Sequence, residues 1–360
     1  MRFPEFDGEW ETHRLGELVE IKSGVSPTGI IDENGLFPFY KVEQLNNCYV
    51  ELNETPYLTM QSSVPVHGII FPKRGAAIMT NKIRIASKPC QLDTNLMALI
   101  IENNEKVDYK FLFYFIARYN LSKIADTSTI PQINNIHINP LKITLPSFKE
   151  QQKISALLTV LDLKIDTQRK IIEKYESLIR GLYHSVFNQP ASTLQLKDVV
   201  SVVKGQQVNG EELLEYGKYY VMNGGTEPSG YLDVCNTPAN TISISEGGNS
   251  CGYVQYNTEP FWSGGHCYSL IQKEQSVNYQ YLYHFLKYKE RNIMALRIGS
   301  GLPNVQKKDL ERFEIRVLPT KQQNRVAEIL EDVSAKCDLE KRILQGWQCQ
   351  KSYLLHNLFI

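Results

Sequence analysis

A doubled stretch constrains this chain more than any other feature. Leu145-Pro146-Ser147 through Phe187 recurs as Leu318-Pro319-Thr320 through Phe359. At an offset of 172, Ile154 falls on Val326, Leu157 and Leu158 on Ile329 and Leu330, and Lys164 on Lys336. Asp166 likewise falls on Asp338, His184 on His356 and Phe187 on Phe359. Pro146 and Pro319 lie 173 apart, so one residue drops out near the start. A repeat of this length has to be read first, because it divides the chain.

Each copy begins as a helix begins. Ser147 to Glu150 and Thr320 to Gln323 both fit a capping box, with a hydroxyl for a free first-turn amide and a Glu or Gln to reach back. Apolar residues then follow steps of four and three. In the first copy they are Ile154, Leu158, Leu161, Ile165, Ile172, Tyr175, Ile179, Leu182 and Val186, with Gln168 as a polar interruption. In the second they are Val326, Leu330, Val333, Cys337, Leu344, Trp347, Leu354 and Leu358, interrupted by Glu340 and Lys351. This spacing keeps one narrow seam on one side of a helix. Roughly 38 residues make a rod of about 57 Å. A narrow seam that long needs a partner, and the other copy is the obvious one. Leu158, Leu161, Ile165 and Ile172 are expected to carry the seam on one rod, and Leu330, Val333, Leu344 and Trp347 on the other.

The segments between the rods repeat too. Leu196 to Gly205 echoes Leu15 to Gly24, Tyr279 to Leu286 echoes Tyr109 to Ile116, and Gly299 to Asn304 echoes Thr127 to Gln132. In the first half, residues 10–21 read as a short helix and strand. Short strands follow at Phe37–Val42, Gly68–Phe71, Ala76–Thr80, Lys82–Ala86 and Met97–Ile101, then a helix at Lys110–Tyr119. Residues 66–87 and 241–254 share little beyond strand character. The frame repeats while its contents change. The reading is an α/β (α+β) chain with globular domains at 1–145 and 191–318, and long helices at 146–190 and 319–360.

Composition narrows the chemistry. With 39 basic and 39 acidic residues, the chain does not coat nucleic acid by bulk charge. A local basic face is compatible with that balance. The seven cysteines form no C-x-x-C pair and read as thiols of a reducing cytoplasm. Cys251, His266 and Cys267 fit no standard metal spacing. No apolar run is long enough to span a bilayer, and the first residues lack the regions of a signal peptide. The sequence holds no Pro-Pro dipeptide, no G-x-x-x-x-G-K-[ST] and no G-x-G-x-x-G. Glu246 to Gly252 is glycine-rich but reads as a turn between strands. His266 has no nucleophile at a recognisable spacing, so it reads as a structural or binding histidine. His184 and His356, near the rod ends, are expected to pack against a domain.

Variable domains that each precede a repeated long helix resemble the specificity subunit of type I restriction–modification enzymes. The residues that carry the likeness are Leu145-Pro146 with Glu150-Gln151 and Ile154, and Leu318-Pro319 with Gln322-Gln323 and Val326. Ile21-Lys22-Ser23-Gly24, Val203-Lys204-Gly205 and Gly299-Ser300-Gly301-Leu302-Pro303-Asn304 add to it. The first half departs at Ser128-Thr129-Ile130, where a glycine would be typical. The resemblance spans essentially the whole chain, and the doubled arrangement carries it.

That family implies two target recognition domains, each reading half of a split, asymmetric sequence in double-stranded DNA. It implies an antiparallel coiled-coil pair of helices as spacer. It also implies two modification subunits that bring S-adenosylmethionine, and restriction subunits that bring ATP-driven translocation and cleavage with Mg2+. The chain itself would hold no metal or cofactor and catalyse nothing. Base readout needs donors and acceptors that differ between domains, whereas phosphate contacts need only positive charge and amides. In the first domain Lys22, Ser23, Gly24, Lys73, Arg74, Asn81, Lys82, Arg84 and Gln132 are candidates for DNA contact. In the second they are Lys204, Gln206, Gln207, Asn223, Asn249, His266, Arg297, Asn304, Lys307 and Lys308. A non-enzymatic scaffold whose two domains bind proteins is the rival reading, and the neutral charge is its support.

Overall fold

The structure is a computed structural model and describes residues 2–46, 48–52, 54–127, 129–299, 301 and 303–359. By contact density the chain divides into Met1–Lys170 with Arg342–Ile360, and Ile171–Lys341. The division falls inside the long helices, because each half of a helix is packed into the core of one unit.

The first unit begins with β1 (Glu11–Arg14), β2 (Val19–Ser23), β3 (Phe37–Tyr40), β4 (Leu58–Thr59), β5 (Ile69–Pro72), β6 (Arg84–Ile85), β7 (Gln91–Leu92) and β8 (Leu96–Ile101). Then come α1 (Tyr109–Tyr119), the short α2 (Asn135–Ile138), β9 (Lys142–Leu145) and the long α3 (Phe148–Phe187). Strands β2-β8-β5-β6 form an antiparallel sheet. A second sheet, β4-β3-β7, pairs β3 with β7 in parallel, and β1 pairs with β9. Alternation along each strand splits the core into two layers. Ile69, Phe71, Met97 and Leu99 face α1 and the long helices. Ile70, Leu96 and Ala98 face the other way, with Tyr40, Leu45 and Leu92.

The second unit repeats the plan as β10 (Ser192–Gln195), α4 (Leu196–Val199), β11 (Val200–Lys204), β12 (Tyr219–Met222), β13 (Tyr231–Leu232), β14 (Thr241–Ser245) and β15 (Val254–Asn257). It continues with β16 (Trp262–Ser263), β17 (Cys267–Gln272), α5 (Tyr279–Tyr288), α6 (Glu290–Met294), α7 (Lys307–Glu311), β18 (Glu314–Val317) and α8 (Thr320–Leu358). Its sheet order β11-β17-β14-β15 matches β2-β8-β5-β6, and β13-β12-β16 matches β4-β3-β7. The registers match as well. Ile69 opposite Leu99 corresponds to Ile242 opposite Leu270, and Tyr40 opposite Leu92 to Met222 opposite Ser263. Stretches with little sequence in common therefore carry one hydrogen-bond pattern. They differ in the second layer, where Ser243, Ser245 and Ser269 are buried at positions matching Ile70, Pro72 and Ala98. Asn257 serves part of this polar layer by donating to Ser243 Oγ at 2.9 Å and to the Thr241 carbonyl at 2.9 Å.

Two expected elements are different in the structure. Ala76–Thr80 is a turn of 3-10 helix, entered through Gly75 at φ 82° and left through Asn81 at φ 47°. Left-handed residues at both ends close a turn where a strand would need extended backbone. Near the start, Leu15–Glu17 is a 3-10 turn between β1 and β2, so the order is strand, turn, strand.

The long helices pack antiparallel within the units. In the first unit Lys351 pairs with Asp162 at 2.5 Å, and Lys164 lies 4.2 Å from the Trp347 ring centre. Partners on α8 descend as positions on α3 ascend. The second unit contributes Lys341 to Glu176 at 3.1 Å. Leu158, Leu161, Ile165, Ile172 and Leu330 are buried, whereas Val333, Leu344 and Trp347 are half-buried. The seam is not freestanding: Leu158 and Leu161 join the first unit's core with Leu354, Leu358 and Phe359. Leu330 joins Phe187 in the second. His184 and His356 are exposed, contrary to expectation. The residue three further along each helix is the one that packs. Phe187 sits against Tyr281 and Phe285, and Phe359 against Phe111 and Phe115.

One polar device recurs where each long helix meets its domain. The buried Gln151 amide donates to the Pro146 and Lys106 carbonyls at 3.0 Å each, and its oxygen accepts from the Asp108 N–H at 3.0 Å. Gln323 does the same with Leu318 at 2.7 Å, Ser276 at 3.3 Å and the Asn278 N–H at 2.8 Å. Asp108 and Asn278 are the N-caps of α1 and α5. The first capping box is half formed. Ser147 Oγ accepts from the Glu150 N–H at 3.3 Å, but the Glu150 side chain is turned to Arg2 at 2.8 Å. Gln151→Ala or Gln323→Ala removes three hydrogen bonds, one of them to a buried carbonyl, and should destabilise its unit by about 2 kcal/mol. The exposed Gln152→Ala should stay within about 0.5 kcal/mol of the parent. Denaturant unfolding of the three variants checks this.

Candidate nucleic-acid interface

Four loop segments gather at one end of the main sheet in each unit, held by main-chain hydrogen bonds. In the first unit Gly24 N–H donates to Leu96 at 3.0 Å, Lys73 N–H to Asn95 at 2.8 Å and Gly75 N–H to Pro131 at 2.7 Å. Ile133 N–H returns to Lys73 at 2.8 Å, and Asp126 and Gln132 exchange bonds of 2.9 Å that close a short loop. In the second unit the partners are Gly205 to Cys267 at 2.8 Å, Glu246 to His266 at 2.8 Å and Gly248 to Pro303 at 3.0 Å. Val305 returns to Glu246 at 2.8 Å, and Ile298 and Asn304 exchange bonds of 2.9 and 3.0 Å. Gly24 thus corresponds to Gly205, Lys73 to Glu246, Asn95 to His266 and Gln132 to Asn304. Ser128, Ser300 and Leu302, quoted for the likeness of these loops, lie outside the described residues.

Gly24 and Gly205 are required by close contacts within the protein. A Cβ at Gly24 would stand 1.9 Å from the Asp93 carbonyl oxygen, and one at Gly205 would stand 2.2 Å from that of Gly264. Both glycines let the end of a sheet strand press on the neighbouring turn. The lysines beside them are not equivalent. Ser23 lies opposite Met97 and Lys204 opposite Tyr268, which occupy one register position, so Lys22 falls on the other face of its strand. Lys22 pairs with Glu20 there. Lys204 pairs with Glu246 at 2.7 Å, and the Tyr268 hydroxyl lies 3.0 Å from the same carboxylate oxygen. Burial first, and the hydrogen bond to Glu246 second, push the Tyr268 phenol up, so it remains a donor.

The other predicted residues divide. Ser23, Arg74 and Gln132 are exposed on the first unit's loops, with Lys73 half-buried. Desolvation lowers the pKa of Lys73. Asn81, Lys82 and Arg84 serve the fold instead. Asn81 donates to the Ala117 carbonyl at 2.7 Å at the end of α1, and Lys82 bonds Asn46. Arg84 donates to the Leu45 and Ile83 carbonyls at 2.6 and 2.7 Å. In the second unit Gln206, Gln207, Asn249, His266, Arg297, Lys307 and Lys308 are exposed. Asn223 holds the His266 turn, its Oδ1 accepting from the His266 N–H at 3.1 Å. Asn304 Oδ1 accepts from Gln306 at 2.6 Å, and Lys307 pairs with Glu311 at 3.7 Å. Sequence reasoning did not single out Asn95, and read Glu246 only as the start of a glycine-rich turn. The available signal for Glu246 was its place directly after β14.

Two copies of one backbone frame with different side chains on the same loops define a doubled recognition protein. Residues 7–177 and 189–346 each match the Type I restriction modification DNA specificity domain, and the chain belongs to that family. It is 23% identical over 308 residues to a type I specificity subunit of Mycoplasma pneumoniae, covering 80% of this chain and 79% of that one. It is 21% identical over 414 residues to the MjaVIII specificity subunit of Methanocaldococcus jannaschii, covering 99% and 93%. The crystal structure of a type I restriction–modification S subunit from M. genitalium has the same fold. Its TM-score is 0.77 at 20% identity, covering 99% of this chain and 97% of that one.

Gly205→Ala should displace the turn that carries His266 and cost the second unit about 3 kcal/mol. Gly210, with open space around its Cβ position, should accept alanine without loss. Thermal unfolding of the two variants separates them.

Proposed function

We propose that this chain is the DNA-reading subunit of a type I restriction–modification assembly, and that each unit reads one half of a bipartite, asymmetric target. The loop cluster carries this reading: one main-chain frame is built twice and furnished with different donors and acceptors. Direct readout asks for that, because the side chains at base edges set the sequence and the scaffold sets only their position. The chain binds and positions DNA and catalyses nothing. Modification subunits supply S-adenosylmethionine, and restriction subunits supply ATP- and Mg2+-dependent steps, in the cytoplasm. In support, among the described residues no helix is long and apolar enough to cross a membrane.

The balance of 39 basic and 39 acidic residues fits this work, because several basic side chains near the loops are held by acids. Exchange of residues 191–318 for those of another family member tests the modular reading. The methylated motif of the assembled enzyme should change in one half and keep the other. A change in both halves would rule out two independent readers.

The long helices act as the spacer in this reading. α3 runs unbroken for 40 residues, about 60 Å. One heptad inserted beside Gln168 lengthens it by about 10 Å and keeps its apolar side in step. The motif written by that variant should keep both halves with a gap longer by about three base pairs, at some loss of stability. An active variant with the original gap would show that something else sets the distance.

A further inference from the structure

Three glycine-rich turns meet around a single carboxylate in the second unit's loop cluster. Three glycine pairs, 224–225, 247–248 and 264–265, converge there through main-chain and side-chain bonds. Gly264 N–H donates to the Met222 carbonyl at 2.8 Å, and Ser245 Oγ donates to the Gly224 carbonyl at 2.6 Å. A Cβ at Gly224 would stand 3.0 Å from His266 Cβ, and one at Gly247 would stand 3.7 Å from His266 Nδ1. Among these turns sits Glu246, its side chain 12% exposed. Oε1 is held by Lys204 at 2.7 Å and Tyr268 at 3.0 Å. Oε2 has no hydrogen-bond partner among the described residues, and His266 Nδ1 stands 3.9 Å away. A desolvated carboxylate oxygen left without a donor is costly unless a ligand supplies one. Of these glycines, Gly248 has open space beside it and Gly247 only ordinary contacts, so another molecule can approach the backbone closely there.

The first unit holds the opposite group in the same place. Lys73 makes the same two main-chain bonds as Glu246, to Asn95 and from Ile133, each at 2.8 Å. A carboxylate only accepts hydrogen bonds and an ammonium only donates them. In the major groove, adenine N6 and cytosine N4 donate, whereas guanine O6 and thymine O4 accept.

We infer that Glu246 and Lys73 are matched specificity-determining residues. The Glu246 carboxylate selects an amino base, adenine or cytosine, at one position of the second unit's half-site. Lys73 selects a keto base, guanine or thymine, at one position of the first unit's half-site. Lys204 and Tyr268 are positioning residues that aim the Glu246 carboxylate. The inference rests on the proposed DNA-reading function and adds the chemistry of one base to each half-site.

The test reads the methylated motif that the full complex with its modification subunits writes on genomic DNA. Exchange of 191–318 first assigns the half-sites. Glu246→Gln keeps the shape but adds a donor. It should lower the preference for amino over keto bases at one position of the second half-site from at least about tenfold to under about twofold. All other positions should hold. Glu246→Asp keeps an acceptor there, so its motif should still prefer an amino base at that position; a merely structural role for Glu246 would leave the preference alike in the two variants. An unchanged preference in Glu246→Gln overturns the inference while leaving the two-reader function intact. If that variant does not assemble, Lys73→Glu decides. It should turn one position of the first half-site from keto to amino, and an unchanged motif overturns the inference. A parent complex that writes no bipartite motif overturns the underlying function as well.

Discussion

The buried amides of Gln151 and Gln323 are the contacts on which the arrangement depends. Each joins two stretches of chain remote in sequence, the start of its long helix and the entrance to the domain helix. The groups bonded are the carbonyl at the end of the last strand, the carbonyl before the domain helix, and the amide of that helix's N-cap. An amide has both donors and an acceptor, so one buried side chain satisfies all three groups. A hydrocarbon in its stead would make none of these bonds. Long helix and domain helix are therefore fixed to each other in both units by the same atoms. The aromatic plugs Phe187 and Phe359 complete the packing at the far ends of the helices.

Much of this was legible in the sequence, because it was written twice. The long helices, the domain helices at 109–119 and 279–288, and the echo of Gly24 in Gly205 followed from self-comparison. What stayed hidden was local or contextual. Ala76–Thr80 is apolar enough for a strand, and only the left-handed backbone at Gly75 and Asn81 makes it a turn. Ser243 and Ser245 alternate with isoleucines as if facing water, yet a second sheet buries them. Lys22 and Lys204 look like one motif position. Strand alternation puts them on opposite faces, which no count of residues from the neighbouring glycine reveals without the register.

The loop residues were legible in type but not in task. Basic and amide side chains were expected to touch DNA, and many are exposed on the right loops. Arg84 and Asn81 resemble them in sequence but spend their hydrogen bonds on nearby carbonyls. Glu246 was read only as the start of a glycine-rich turn. Its setting between Lys204 and Tyr268 makes it an aimed acceptor rather than a repelling charge.

The bonds that close the loop cluster are almost wholly between main-chain groups, and apart from Gly24, Gly75 and Pro131, which recur as Gly205, Gly248 and Pro303, the two units make them with different residues. A main-chain bond does not depend on the side chain that sits above it. Mutations there can thus alter what the loops recognise with little effect on folding, so selection on stability barely sees them. Such a surface can drift across many recognition chemistries while its scaffold stays under tight constraint. Inheritance of the fold and turnover of its specificity are in this way separated within a single domain.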